Sequence, residues 1–211
     1  MSLPDFLIKG YKDWKDNIFQ EKEKIFKELL QNGQKPKAMV ISCCDSRVDP
    51  NKIFNANEGD IFIHRNIANL VPHFNLKKIN FETLAAVEYA INSLKISNII
   101  ILGHSNCGGI KRAYEVFSAK KQNNNLFIDN WIKIIKPAYK NISKNENNKN
   151  QIKFLEQQSI KNSISNLLSF PNISNLVIKN KLKIFGIYFD LETGNLMNYN
   201  DTNNQFELVT Y

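Results

Sequence analysis

Two short stretches hold the residues able to do chemistry: VISCCDSRV (40–48) and LGHSNCGG (102–109). In the second, His104 and Cys107 form an H-x-x-C pair, close enough in the chain for both side chains to reach one ion. In the first, two adjacent cysteines precede a carboxylate and a guanidinium. Side chains alternate faces along a strand, so Cys43 and Asp45 point one way and Cys44 the other. Thiolate and imidazole together favour zinc over a hard, oxygen-seeking cation. Cys43, His104 and Cys107 supply three such donors. Three protein ligands with one open position is the pattern of a catalytic rather than a structural zinc. An unpaired Asp45 beside that ion would be drawn onto it and would fill the open position. Arg47 is a charge-assisted, bidentate partner able to hold the carboxylate away. Gly108 and Gly109 let the backbone come close to whatever is bound.

The elements around these residues must bring the two stretches together. The apolar, β-prone run 38–42 reads as a buried strand broken by Val48, Asp49 and Pro50, and NIIILG (98–103) reads as a second, fully buried one. Both clusters then lie at the C-terminal ends of strands, where open α/β sheets bind ligands. Between them the sequence predicts a helical turn near 50–55, a strand at 60–64, and a helix from a cap at Asn80 to about Leu94. In that helix Leu84, Val87, Ala90 and Ile91 face inward. GGIKRAYEVF opens a further helix. Residues 121–125 and 143–151 read as polar, asparagine-rich loops, with Pro137 kinking or ending a helix between them. KIFGIYFDLETGNLMNY reads as a C-terminal hairpin. Residues 14–30 place Trp14, Ile18, Ile25, Phe26, Leu29 and Leu30 on one helical stripe stopped by Gly33.

The fold class expected is therefore α/β: one unit over 1–211 with a mainly parallel central sheet flanked by helices. Residues 1–33 form a long N-terminal helical arm, whose apolar stripe must cover its own sheet or a partner subunit. A chain of 211 residues with 43% hydrophobic and 23% charged residues is an ordinary globular composition. No apolar run approaches the roughly 20 residues needed to cross a bilayer. The N-terminus has charges where a signal peptide needs an apolar segment, and three cysteines suggest no disulfide framework. These features point to a cytoplasmic protein without membrane partners. The net charge of +8 comes from scattered lysines such as Lys22, Lys24 and Lys27, which reads as a solvated basic surface rather than a nucleic-acid site.

The two clusters together resemble the β-class carbonic anhydrases, whose motifs are C-x-D-x-R and H-x-x-C. The resemblance continues through GQKPKAMVISCCDSRV, GDIFIHRNIANLVP, AAVEYAINSLKISNIIILGHSNCGGIK and YFDLETG in family order, from about residue 33 to 197, and is loose over 120–180. It implies reversible hydration of carbon dioxide to bicarbonate and a proton, by attack of a zinc-bound hydroxide. One zinc per chain would be held by Cys43, His104 and Cys107, with Asp45 and Arg47 as the catalytic pair. Cys44 occupies the variable position and is expected to be a packing residue.

Relatives form two groups. In one, Asp45 can itself ligate the zinc, and a second bicarbonate site resembles a Trp-x-Gly before the ligand cysteine. Here Val40 and Ser42 stand at those positions, although Arg65 remains. In the other, plant-like group, Gln34, Phe62, Ile67 and Tyr89 match the substrate pocket beside Gly108, and the zinc keeps its open position. The resemblance therefore favours the plant-like group. It also implies a homodimer or a dimer of dimers, with the arm wrapping a neighbour and with Phe62 and Tyr89 serving the partner's zinc. His73, in a loop, is the better-placed proton shuttle than His64. Similar zinc residues occur in relatives that hydrolyse carbon disulfide or carbonyl sulfide, so the motifs alone leave those substrates open.

Overall fold

The computed structural model describes residues 2–74, 81–119 and 125–210. The chain begins with an arm: helix α1 (Asp5–Asp13), a π turn (Trp14–Ile18) and α2 (Phe19–Asn32). Gly33 ends it at φ 71°, a conformation that favours glycine. Then follow β1 (Ala38–Cys43), α3 (Pro50–Ile53), β2 (Ile61–Asn66), a single 3-10 turn at Ile67–Asn69, and α4 (Phe81–Asn92). Next come β3 (Asn98–His104), α5 (Gly108–Phe117), α6 (Leu126–Trp131) and α7 (Lys136–Tyr139). Two further helices, α8 (Asn148–Leu168) and α9 (Pro171–Ile178), precede β4 (Lys183–Phe189), β5 (Leu196–Asn200) and β6 (Gln205–Leu208).

The strands form one mixed sheet in the order β2-β1-β3-β4-β5-β6. The first four are parallel, and β5 and β6 turn back antiparallel. Strand parity sorts the core. Met39, Ile41, Ile99 and Ile101 point to one face, where α4, α8 and α9 pack Val87, Ile160, Leu167 and Ile173 against them. Val40 and Leu102 point to the other face, toward Ile53, Phe54, Ile187 and Phe189. These side chains bury both faces of β1 and β3 at the centre of the sheet. The site stands on those two strands.

Local signals explain most boundaries. Asp49 caps α3 by accepting the Asn51 N–H at 3.1 Å, with Pro50 at the first helical position. One expectation is corrected. Residues 143–151 are not a continuous loop, because Asn147 accepts the Asn150 N–H at 2.9 Å and α8 starts at Asn148. Pro137 interrupts a helical run: a 3-10 turn at Ile132–Ile135 ends just before it, and α7 restarts at Lys136 with Pro137 in its first turn, where its missing N–H is no loss. The C-terminal hairpin is real, but β6 extends it to a three-stranded meander. The cap expected at Asn80 and most of the loop expected at 121–125 lie outside the described residues.

The arm stands apart from the core. No residue of α1, the π turn or α2 is buried, and Phe6, Tyr11 and Leu30 are 74%, 61% and 85% exposed. Its rings pack against one another at tilted angles (Trp14–Phe19 5.4 Å, Phe19–Phe26 5.4 Å), and Lys22 reaches Glu58 at 2.7 Å.

Candidate metal centre

Strand β1 ends at Cys43, β3 ends at His104, and the turn Ser105–Cys107 leads into α5. Because β1 and β3 are parallel neighbours, their C-terminal ends coincide. The donor atoms of Cys43, His104 and Cys107 all lie within 4.8 Å of one another, and the three residues are 4%, 1% and 1% exposed. The two sulfurs are 3.8 Å apart.

The arrangement fits a borderline-soft dication. His104 Nδ1 is 2.8 Å from the Ser105 carbonyl, which holds its proton there and leaves the Nε2 lone pair for the cluster. Nε2 is buried and has no hydrogen-bond partner. A hydrogen bond from the Cys107 thiol, against the opposing effect of burial, draws Cys43 down to about 4, while that same bond and burial push Cys107 up. A dication bound here would take both sulfurs as thiolates and displace their protons. The Ala68 N–H also points at Cys43 Sγ, at 3.4 Å.

Asp45 and Arg47 follow in the turn. Asp45 Oδ1 accepts the Arg47 backbone N–H (3.0 Å) and Nε–H (2.9 Å), and Oδ2 accepts from Nη2 at 2.7 Å. The guanidinium also donates to the Asn106 carbonyl at 3.1 Å, linking the two motifs. These bonds hold the Asp45 carboxyl well below the usual range, so it stays an ionised acceptor. Its Oδ2 lies 3.9 Å from His104 Nε2, beside the cluster but committed to arginine. Arg65 fixes the turn from below, donating to the carbonyls of Cys43 (2.9 Å), Asp45 (2.7 Å) and Val48 (2.7 Å).

The sequence profile of the carbonic anhydrase family matches residues 38–196. The chain belongs to the β-class carbonic anhydrases. A Helicobacter pylori carbonic anhydrase is 33% identical over 204 residues, 95% of this chain and 92% of that protein. β-carbonic anhydrase 3 of Arabidopsis thaliana is 37% identical over 188 residues, 88% of this chain and 72% of that one. A solved structure from work on two tetrameric β-carbonic anhydrases of Sordaria macrospora superposes with a TM-score of 0.75 at 26% identity, covering 92% of this chain and 94% of that one.

Within this carbonic anhydrase fold the expected site residues separate into two groups. Cys43, Asp45, Arg47, His104, Cys107 and Ile67 come together. Ile67 is 39% exposed beside α5, where a Cβ on Gly109 would stand 2.6 Å from its Cγ2. Gly108 opens onto free space, with nothing within 4 Å of an added Cβ. Phe62 and Tyr89 do not reach the cluster of their own chain. Their rings pack together at 5.9 Å, and Phe62 pairs with Met39, four residues below the Cys43–Asn66 pair. At about 3.3 Å per residue that is roughly 13 Å down the strand. Gln34 is exposed after α2.

His64 is half-buried, 3.1 Å from Thr83 Oγ1, and burial lowers its pKa. His73 is exposed, 2.8 Å from the Phe74 carbonyl. Cys44 is exposed, which corrects its reading as a packing residue. β1 stops at Cys43, so the strand cover that buries Val40 and Ser42 does not extend to it.

Sequence reading does not single out Glu156 or Trp131. Glu156 Oε1 accepts the Cys107 N–H at 3.0 Å, and Trp131 Nε1 donates to the Ile67 carbonyl at 2.8 Å. A glutamate at helical spacing with Ser159 and Ser163 was the available signal, on a stretch where the family resemblance is loose.

Proposed function

We propose that this chain hydrates carbon dioxide at one zinc ion held by Cys43, His104 and Cys107, in the open-position manner of the plant-like group. The observation that carries the reading is Asp45, held on three bonds by Arg47 immediately beside the buried S,N,S donor set. Zinc in such a site is a Lewis acid that brings the pKa of a water ligand to about 7, making a nucleophile available at neutral pH. The protein residues do the rest. Asp45 Oδ2 is the acceptor that orients the attacking oxygen, and Arg47 keeps that carboxylate from closing the open position. Ile67 contributes an apolar wall suited to an uncharged linear substrate, and Gln34, which precedes β1 at the end far from its own chain's cluster, would donate to the bicarbonate product of a neighbouring site. His73, exposed in its loop, carries the released proton outward.

The choice of subgroup is supported by Arg65, which donates through Nε and Nη2 to the carbonyls of Cys43, Asp45 and Val48, and by the fully buried Val40 and Ser42. The unburied arm supports a dimer or a dimer of dimers, in which Phe62 and Tyr89 would serve the neighbouring site; the Sordaria relatives are tetrameric. Among the described residues no helix is long and apolar enough to cross a membrane. Three free cysteines are consistent with the reducing cytoplasm.

Stopped-flow carbon dioxide hydration, with zinc measured on the same sample, tests the reading. The expected result is stoichiometric zinc and hydration that disappears when a chelator removes it. Hydration that survives complete zinc removal would overturn it.

A further inference from the structure

Helix α8 turns polar residues into the protein. Glu156, Ser159, Ser163 and Asn166 recur at intervals of three, four and three, which is one helical face, and they are only 3%, 1%, 0% and 7% exposed. Buried polar groups are costly unless paired, so their partners reveal what the stripe is for. Those partners converge on the two turns that carry the metal centre.

Glu156 takes the first turn. Its Oε1 accepts the N–H of Cys107 at 3.0 Å, and its Oε2 accepts the Tyr188 hydroxyl at 2.9 Å, which anchors the carboxylate to β4. The other three take the segment after β2. Ser163 Oγ accepts the Val71 N–H (3.1 Å) and donates to the Asn69 carbonyl (2.9 Å). Asn166 Nδ2 donates to the Val71 carbonyl at 2.6 Å, and Asn69 Nδ2 donates to Ser159 Oγ at 3.3 Å. From the opposite side Asn66 bonds both the N–H and the carbonyl of Leu70, each at 2.9 Å.

The clamped segment is strained. Ala68 and Asn69 adopt φ 65° and 50°, and a left-handed residue with a Cβ costs on the order of 1–2 kcal/mol. Such a backbone persists only where its surroundings hold it. Its product is the aim of one amide: Ala68 N–H points at Cys43 Sγ, with Ile67 presented beside Gly109.

We propose that α8 is the positioning element of the metal centre. Glu156 fixes the Cys107 turn, while Ser163 and Asn166 fix the loop that aims Ala68 N–H at the Cys43 sulfur. These are positioning residues, acting on the ion only through Cys107 and Cys43, and the proposal rests on the zinc reading above. An N–H bonded to a ligand sulfur withdraws charge from it, and a fixed turn keeps Cys107 from leaving.

Three variants test this: Glu156→Ala, Glu156→Gln and Ser163→Ala. The readouts are the rate of zinc transfer to a chromogenic chelator, the thiolate-to-metal absorption of the cobalt-substituted protein, and Tm. Glu156→Ala should release zinc about tenfold faster or more, the usual scale for losing a partner behind a metal ligand. Glu156→Gln, whose amide oxygen still accepts the Cys107 N–H, should retain zinc at close to the parent rate. Ser163→Ala should shift the cobalt–thiolate band without losing the metal. Lower Tm with parent-like zinc release in Glu156→Ala and a parent-like cobalt spectrum in Ser163→Ala would make the stripe merely stabilising and overturn the proposal. If Glu156→Ala does not fold, the Ser163→Ala spectrum decides alone. A parent chain without zinc would instead overturn the zinc reading, and this proposal with it.

Discussion

One peptide unit separates Cys43 from Cys44, and it separates a candidate ligand from a bystander. Cys43 is buried on the same face as Ile41, within 3.8 Å of Cys107 Sγ; Cys44 is exposed beyond the strand end. Replacing Cys43 or Cys107 by Ser should abolish zinc content and hydration together, whereas Cys44→Ser should keep both, as metal analysis of the purified variants will read. Asp45 and Arg47 make a sharper contrast. Arg47→Ala removes the donors that occupy both carboxylate oxygens, and the freed carboxylate is then attracted to the nearby dication. Full zinc with hydration reduced at least about 100-fold is expected, and a crystal structure of that variant should find Asp45 on the metal. Normal activity in Arg47→Ala would refute the pairing role. Parity along β1 made Cys43 legible from sequence alone. The exposure of Cys44 was not legible, because parity tells which face a side chain takes but not where the cover over that face ends.

Elements whose buried face is apolar were legible; one whose buried face is polar was not. β1, β3 and α4 carry branched or aliphatic residues at strand or helix period, and their positions match the sequence reading to within a few residues. α8 buries Glu156, Ser159, Ser163 and Asn166 alongside Leu155 and Ile160, so its hydrophobic period is weak and its first turn reads as loop. The cap at Asn147 starts it, and Asn147→Ala should lower unfolding stability by about 1 kcal/mol in a denaturant titration without changing zinc content. The paired glycines that open α5 were recognisable as a close approach, but only one of them serves it. Gly109 stands where a Cβ would meet Ile67 Cγ2 at 2.6 Å and Ala68 Cβ at 3.1 Å, while Gly108 faces open space. Gly109→Ala should therefore cost about 1–3 kcal/mol and raise KM by displacing Ile67. Gly108→Ala, with room for its methyl, should leave stability close to the parent's. Equal stability of the two variants would contradict the close approach at Gly109.

At the scale of the whole molecule the chain is incomplete in two places that point to the same remedy. The arm exposes Phe6, Leu7, Ile8 and Tyr11 with no residue of its helices buried, a surface that a second copy of the chain would cover. The Phe62–Tyr89 pair lies at the outer strand β2, roughly 13 Å along the strand from the metal end. The proposed arrangement accounts for both facts: each subunit would lend this pair to its neighbour's site. Complementation separates that arrangement from a self-contained chain. Cys43→Ser destroys the metal site of its own subunit but leaves its Phe62 intact, and Phe62→Ala does the reverse. Each variant alone should be nearly inactive. Co-refolded in equal amounts, random pairing makes half of the dimers mixed, and each mixed dimer assembles one complete site, so about a quarter of parent activity should return. If Phe62 served its own chain, no mixed dimer would hold a complete site and the mixture would stay inactive. A fully active monomer by light scattering at micromolar concentration would end the argument before the mixing was done.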